Sequence, residues 1–506
     1  MENQFLQSST PIIIKMFLKR LFFAGSALIV SGSLAAQTVA NDSVSLVLSL
    51  DECLRIALDE SPTVKIADME VTRTDYSRKE TLGQLLPTVS FGANYNRMLA
   101  KQVMYMNMDG FGGGSASGGD NSGEGGDGSS ETPASSGRAA AGGGGIKVGL
   151  DNSYSTGFTA SMPLIAPQLW QSLKLSDANI LRNVELARQS RLDLINQVKT
   201  AYYAYLLAKD SRRVIQESYD MAKLNYDIYS KKYTAGAASD YDVLRTSVAM
   251  KNIEPQLMQA DIAIKQARLQ LLILMGLDAS FKIEVPSGLS DYEDTMYQTV
   301  LDINPDYSGN SSLKLNSIDA DITRRTVKMQ QFAWLPTLAI SANYNWTSMS
   351  NGSPLRNFRW NPYSQVGLTL SVPLFEGGQK YSRVKQAKIQ AAEITLQREN
   401  LERSISNQVS LAIDNINVNV KQIASCSESV KEAERAHDIM ERSFAIGAAS
   451  YLDLRDSELA LTQARLSRYQ AIYNFLVANS ELELLLGSAD IDSLQSANKQ
   501  ATTSHK

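Results

Sequence analysis

The sequence predicts a mainly α chain with a transmembrane β-barrel, internally duplicated, and three observations carry that expectation. Four landmarks recur in the same order in the two halves of the 506 residues. Four segments alternate apolar with small polar residues, and two helical stretches each run for more than sixty residues without an internal proline or glycine. The composition, 43% hydrophobic and 20% charged, is that of a chain able to bury a large core. A net charge of −4 and the lack of an aromatic-interleaved basic stripe argue against a nucleic-acid partner.

At the N-terminus, Lys19 and Arg20 precede an apolar run from Leu21 to Val30 and the small residues Ser33, Ala35 and Ala36. This is the pattern of a secretory signal peptide over residues 1–36, and it reads complete from Met16, an alternative start. The run is too short to span a bilayer, and no cysteine marks the cleavage region for a lipid anchor. Beyond it no stretch reaches about 18 uninterrupted apolar residues, so any membrane contact of the mature chain falls to a β-barrel.

The duplication is read from Leu86-Pro87-Thr88-Val89 through Asn96 set against Leu335-Pro336-Thr337-Leu338 through Asn345. Three landmarks follow in register: Ser161-Met162-Pro163-Leu164 with Ser371-Val372-Pro373-Leu374, Gly236-Ala237-Ala238-Ser239 with Gly447-Ala448-Ala449-Ser450, and Leu274-Met275-Gly276 with Leu485-Leu486-Gly487. The first repeat covers 44–276 and the second 313–487. Residues 277–312, an equatorial linker, and the polar tail 488–506 fit neither strand nor long helix and are expected to form a small belt around the helices.

Strands are expected over about 88–96, 156–164, 337–346 and 364–374. Val89, Phe91, Ala93 and Tyr95 oppose Thr88, Ser90, Gly92, Asn94 and Asn96, and the other three segments repeat the pattern. A half-buried sheet of a soluble domain has the same period. The small, uncharged polar faces suit a wet lumen, strands of about ten residues fit a tilted span, and Tyr95, Tyr344, Trp346, Trp360, Tyr363 and Phe375 suit interfacial girdles. Four strands cannot close a barrel, and an open edge in hydrocarbon leaves backbone groups unpaired at several kcal/mol each, so closure requires other chains.

Helices are expected over about 168–233, 240–275, 378–444 and 451–486, the two longest reaching roughly 100 Å. Leu173, Ile180, Ala187, Leu194, Ala201, Ala208, Ile215, Ala222 and Tyr229 recur every seventh residue in the first. Ala387, Ile394 and Leu401, then Val409, Ile416, Ile423 and Val430, do so in the third, which means coiled-coil packing. Pro255 should kink the first return helix. The Gly/Ser-rich insertion 104–145 cannot bury a core and reads as a disordered, extracellular, dispensable loop where the second repeat has only a short link from Thr347 to Pro362.

Strand pairs opening onto long helices, duplicated, with Gly-x-x-Ser turns at the tips, resemble the outer membrane efflux protein family of TolC-like outer membrane factors, over about Leu46 to Ser488. The resemblance rests on Leu50-Asp51-Glu52-Cys53-Leu54 through Ser61-Pro62, Asn304-Pro305, the Leu-Pro before each first strand, the Pro-Leu after each second strand, and the tips Tyr233-Thr234-Ala235-Gly236 and Phe444-Ala445-Ile446-Gly447. It implies a homotrimer with a twelve-stranded barrel in outer-membrane lipid and a tapering barrel of twelve helices in the periplasm. It further implies docking of the tips, Gly236, Ala237, Ala238, Ser239 and Gly447, Ala448, Ala449, Ser450, to a periplasmic adaptor (membrane fusion protein) and an inner-membrane pump. The family closes its periplasmic end with aspartate rings and a tyrosine–arginine network. Carried over, Asp453 and Asp456 take the ring positions and Asp242 the partner position in the first repeat. Phe444 and Ala449 stand where the tyrosine and arginine are expected, and Arg245, aligned by the duplication with Asp456, is the candidate replacement.

Ser239-x-x-Asp242 and Ser450-x-x-Asp453 are also N-terminal capping patterns, which leaves Asp242 and Asp453 open between cap and gate. Asp456 lies past the first turn and is assigned to the lumen. No enzyme chemistry and no cofactor are expected: the histidines are His437 and His505, and phosphate loop, nucleophile elbow and two-histidine metal motif are missing. Glu434-x-x-His437 has di-metal half-site spacing without a second half, and Asp120, Glu124 and Asp127 lack full calcium-ligand spacing. Cys53 and Cys426 read as small helix residues, not a disulfide or zinc pair. Two other readings stay open: the outer-membrane duct of a type I protein secretion system, and a trimeric coiled-coil adhesin with a shared barrel anchor. The adhesin should group its strands at one terminus, whereas these pairs lie about two hundred residues apart. The mature chain is expected to begin near Gln37 and to fractionate with the outer membrane as a heat-modifiable trimer; N-terminal sequencing and unheated gel migration check this, and a soluble periplasmic monomer would overturn the architecture.

Overall fold

The computed structural model describes residues 45–104, 146–293, 306–352 and 359–488. The expected signal segment, nearly all of the insertion with Asp120, Glu124 and Asp127, the middle of the equatorial linker, and the tail with His505 lie outside the described residues.

Chain order starts with β1 (Ser45–Val47), α1 (Leu50–Glu60) and α2 (Pro62–Gly83). Then come β2 (Thr88–Arg97), β3 (Gln102–Met104), β4 (Ile146–Val148), β5 (Asn152–Ile165), α3 (Pro167–Thr234) and α4 (Asp240–Met275). After β6 (Lys282–Glu284) and a 3₁₀ turn at Leu289–Tyr292 follow α5 (Ser311–Phe332), β7 (Thr337–Ser350), β8 (Asn361–Ser371), α6 (Gln379–Ala445) and α7 (Tyr451–Leu486). Three of the strands differ from the sequence expectation. β5 and β7 are each 14 residues, so the link expected from Thr347 begins only after Ser350. β8 begins at Asn361 and ends at Ser371, before the Pro373 that cannot donate to a ladder. Met104, expected in the loop, pairs with Ile146 in the short β3–β4 hairpin.

The four long strands form one antiparallel sheet in the order β2-β5-β7-β8. Its register lines up like with like. Val89, Ala160, Ala342 and Val366 stand in one cross-strand row, and Phe91, Phe158 and Tyr344 in the next. The opposite face carries Ser90, Thr159, Asn343 and Gln365 in one row and Thr88, Ser161, Ser341 and Gly367 in another. Ring pairs knit the apolar face, Phe91 to Phe158 at 5.0 Å and Tyr344 to Trp346 at 4.7 Å between centroids. No described residue covers this face: Val89 is 71% and Val366 72% exposed. Among the described residues β2 and β8 are paired on one side only. Among the described residues no helix is long and apolar enough to cross a membrane.

The helices are built around the two long ones. α3 has 68 residues and α6 has 67, about 100 Å each. The shorter helices run along them in sequence. α2 meets the start of α3 through Arg78 to Asp177 and Asn183 to Thr74, and α4 meets its second half through Arg212 to Asp261. Of the every-seventh positions, Ala187, Leu194, Ala201 and Ala222 on α3 and Ala387, Val409, Ile416, Ile423 and Val430 on α6 are buried, and the others are half-buried. The break in the α6 series between Leu401 and Val409 is filled by buried Ile405. α4 runs through Pro255 as one helix. Only the N–H that would serve the Lys251 carbonyl is lost, so the position interrupts one bond and not the element.

The hydrophobic core sits at the waist, where α1, the parallel β1–β6 pair and Leu289 pack on the middle of α3, α6 and α7. Cys53, Leu206, Leu271, Met275 and Ile472 are fully enclosed there. The segment after α4 is tied in by polar bonds: Leu289 N–H donates to Asp210 Oδ2 at 2.9 Å and Tyr205 Oη to the Ile283 carbonyl at 3.3 Å. Burial raises the Cys53 thiol to about 12, and both cysteines are free.

Val366 lies at the centre of β8 on the apolar face and Gln365 beside it on the polar face. Val366→Arg is expected to cost about 2–4 kcal/mol of stability in lipid vesicles and Gln365→Arg little, because only the first puts a charge into hydrocarbon. Denaturant unfolding from vesicles measures both, and equal costs would contradict the assignment of faces.

Candidate functional site

The two helix–helix turns, 235–239 and 446–450, are built alike. Gly236 and Gly447 follow the last helical turn with φ of 73° and 78°, the left-handed region that favours glycine. Gly236 N–H donates to Tyr233 O at 2.9 Å and Ala237 N–H to Lys232 O at 2.7 Å. The second turn repeats this with Gly447 to Phe444 and Ala448 to Ser443 at 3.0 and 2.8 Å. A Cβ at either glycine would meet no atom within 4 Å, so the requirement is one of backbone angle and not of space.

Each following helix opens with a reciprocal cap. Ser239 N–H and Oγ donate to Asp242 Oδ2 at 3.2 and 2.7 Å, while Asp242 N–H returns a bond to Ser239 Oγ. Ser450 and Asp453 do the same at 3.0 and 2.7 Å. The serine hydroxyls, followed by the serine N–H groups, hold both carboxyls below the ordinary 3.8. Of the two roles the sequence left open, capping is therefore the one formed within the chain. Asp456 is exposed and makes no hydrogen bond or ion pair with any described residue. Arg245, expected to meet Asp456 of a neighbouring helix pair, lies within the chain over the Tyr451 ring at 5.5 Å.

Tyr451 belongs to a cluster that sequence reasoning did not find. The Tyr229 ring stands 5.5 Å from Tyr451 and 6.4 Å from Phe444. Lys232 Nζ lies 5.4 Å from the Tyr229 centroid and 5.8 Å from that of Phe444. Phe444 thus joins α6 to α3 through ring and cation contacts. Burial pushes the Tyr229 and Tyr451 phenols up. The one available signal was Tyr229 at the last heptad position of α3, an aromatic where the earlier positions carry alanine, leucine or isoleucine.

Above this cluster Asn225 Nδ2 on α3 donates to Glu458 Oε1 on α7 at 3.1 Å. Glu458 is buried, and that desolvation raises its carboxyl, partly offset by the Asn225 bond. Farther along, Arg465 bridges Glu217 on α3 and Glu434 on α6, both at 2.9 Å, and His437 Nδ1 lies 3.3 Å from Ser457 Oγ. The Glu434-x-x-His437 pair is thus engaged in helix packing. Among the described residues no group of three metal-type side chains converges.

Since Asp242 and Asp453 titrate below 3.8 in the folded chain, their cap bonds contribute fully above the unfolded value and fade as pH falls through the lower folded one. Protection of the amides at the two turns, taken relative to intrinsic exchange at the same pH, is expected to fall below about pH 4, and Asp453→Asn to remove that pH dependence at the second turn. Hydrogen exchange read by mass spectrometry checks it.

A family model described as outer membrane efflux protein matches residues 53–277 and again 309–488. Outer membrane protein TolC of Escherichia coli (strain K12) is 24% identical over 392 residues, covering 69% of this chain and 76% of that protein. The alkaline protease secretion protein AprF of Pseudomonas aeruginosa is 24% identical over 351 residues, 67% of this chain and 70% of that protein. Among solved structures, the Campylobacter jejuni CmeC outer membrane channel superposes with a TM-score of 0.63 at 16% identity, covering 89% of this chain and 88% of that one. The outer membrane protein VceC of Vibrio cholerae gives 0.62 at 14% identity, covering 87% and 96%. With one family model matched over both strand pairs and both long helical hairpins, the chain belongs to the outer membrane efflux protein family.

Proposed function

We propose that the chain is the outer-membrane channel subunit of a tripartite efflux system, three copies forming a duct that exports small molecules across the periplasm and the outer membrane. The observation that carries this is the sheet: an uncovered apolar face, a small polar face, and two edges paired on one side only. In hydrocarbon those edges must meet other copies. Three copies of four strands give a twelve-stranded barrel, with the polar rows of Ser90, Thr159, Asn343 and Gln365 lining water. That one family model matches the chain twice supports the reading of an internal duplication, residues 44–276 and 313–487 joined by the equatorial linker 277–312. The duct itself moves solutes without bond chemistry; the energy comes from an inner-membrane pump reached through a periplasmic adaptor.

On this reading the exposed turns Gly236–Ser239 and Gly447–Ser450 are the docking points, and Asp456, with Asp242 and Asp453 behind it, faces the closed periplasmic entrance. Arg245 holds the first hairpin against the second through Tyr451. The adhesin alternative loses ground because a helical hairpin separates the two strand pairs, as a duct requires. The likeness to AprF favours a second reading within transport, the duct of a type I protein secretion system. Planar-bilayer recordings test the gate: Asp456→Ala is expected to lower cation selectivity, as loss of a charged ring does, and Arg245→Ala to raise conductance. If neither changes, while Gly447→Trp still permits adaptor crosslinking and drug resistance, both the gate and the docking assignment fail.

A further inference from the structure

Just beneath the sheet, α3, α5 and α6 line a groove of about 780 Å³ in which every charged side chain but one is cationic. Lys174 comes from α3, Arg324, Arg325 and Lys328 from α5, and Lys388 from α6; Asp321 is the single carboxylate among them. That carboxylate is largely spent on Arg325, whose Nε donates to Asp321 Oδ2 at 2.6 Å, while Arg324 Nη2 stays at 3.9 Å from Oδ1. Arg325 is further fixed by a bond to the Lys174 carbonyl at 3.4 Å. Lys174, Lys328 and Lys388 are exposed and form no ion pair with any described residue. The next carboxylates along α3 and α5, Asp177 and Asp319, are already held by Arg78 and Arg182. Five cations against one anion repel one another across a concave surface, and such a surface concentrates anions.

The depth of the groove narrows what that anion is. Lys174 lies seven residues into α3, Lys328 four residues before the end of α5, and Lys388 nine residues into α6, which puts the charges about 6–14 Å along the helices from the ends that face the sheet. Trp170, Trp334 and Tyr381, 46%, 46% and 61% exposed, lie within three residues of those same helix ends, between the charges and the strands, where amphipathic rings mark a membrane interface. We infer that this groove binds a phosphate-type oxyanion, with the Arg324 guanidinium offering its two-pronged face and the three lysines supplying charge. The inference rests on the sheet lying in the membrane, as proposed above. Two carriers share that chemistry: an anionic phospholipid headgroup at the periplasmic leaflet, and a free anionic solute at the inner mouth of the barrel. A guanidinium fork matches two phosphate oxygens at once, lysines add point charges without geometric demand, and the several cations together suit a group that presents more than two anionic oxygens.

The test uses the full-length protein, delipidated in non-ionic detergent, with bound ligand counted by native mass spectrometry. Phosphatidylglycerol and phosphatidylcholine are the lipid probes, and glycerol phosphate is the competitor. Lys174→Gln/Lys328→Gln/Lys388→Gln is compared with Lys251→Gln/Lys265→Gln/Lys421→Gln, which removes the same charge from exposed positions away from the groove. The wild type and the control are expected to prefer phosphatidylglycerol, and the groove variant to bind it about tenfold more weakly. Lys388→Gln alone, the mildest change, should weaken it about twofold to threefold and guards against misfolding of the triple variant. Full displacement by glycerol phosphate assigns the groove to a free oxyanion, and resistance to displacement assigns it to the headgroup. Equal binding by the groove variant and the control, or no preference for the anionic lipid in the wild type, overturns the inference. Because none of these readouts involves conductance or resistance, a failed gate or docking assignment leaves this test intact.

Discussion

Backbone polar groups in hydrocarbon have no water to turn to, and that constraint shapes the rest of this chain. An antiparallel sheet of four strands with one apolar face answers it only halfway, because β2 and β8 each keep an unpaired side. The strand length, the uncharged polar rows and the uncovered apolar rows make sense once the sheet is one part of a closed cylinder. The helices inherit the same arrangement. Each strand pair delivers its chain into a long helix, α3 or α6, and each long helix is flanked by shorter ones, so the four-stranded sheet continues into a layer of packed helices.

Packing is distributed unevenly along that layer. The core is confined to the waist, where α1, the β1–β6 pair and the Leu289 turn thicken it. Toward the turns, contacts between hairpins become few and specific: the Asn225–Glu458 bond, the Tyr229–Phe444–Lys232 group and the Arg245–Tyr451 contact. Such contacts contribute modestly one by one, and ring and cation contacts of this kind are worth about 0.5–1.5 kcal/mol each.

The sequence made legible those features that rest on period. Alternation along 88–96 and its three counterparts gave the two faces of the sheet, and the every-seventh series gave the buried seam of α3 and α6, because both depend on neighbours close in the chain. Register across β5 and β7, which links residues about two hundred apart, was not accessible, and the two strands proved longer than turn residues suggested. The tip divides in the same way. The caps at Asp242 and Asp453 are local patterns and were visible as such, whereas Tyr229, Lys232 and Tyr451 act through partners more than two hundred residues distant or on another hairpin. Phe444 and Ala449 were recognised as departures, but what Phe444 does instead became clear only from the rings it meets.

The position of the core has a mechanical corollary. On α3 the last residue of the central cluster is Val214, and the helix continues for twenty residues to Thr234 without joining another such cluster. That is a rigid arm of about 30 Å pivoting on a dense fulcrum. A tilt of about 5° at the fulcrum sweeps the far end through about 2.6 Å over an arm of that length. A shift too small to disturb any packed side chain at the waist is thereby amplified, at the turns, into a change on the scale of a hydrogen bond.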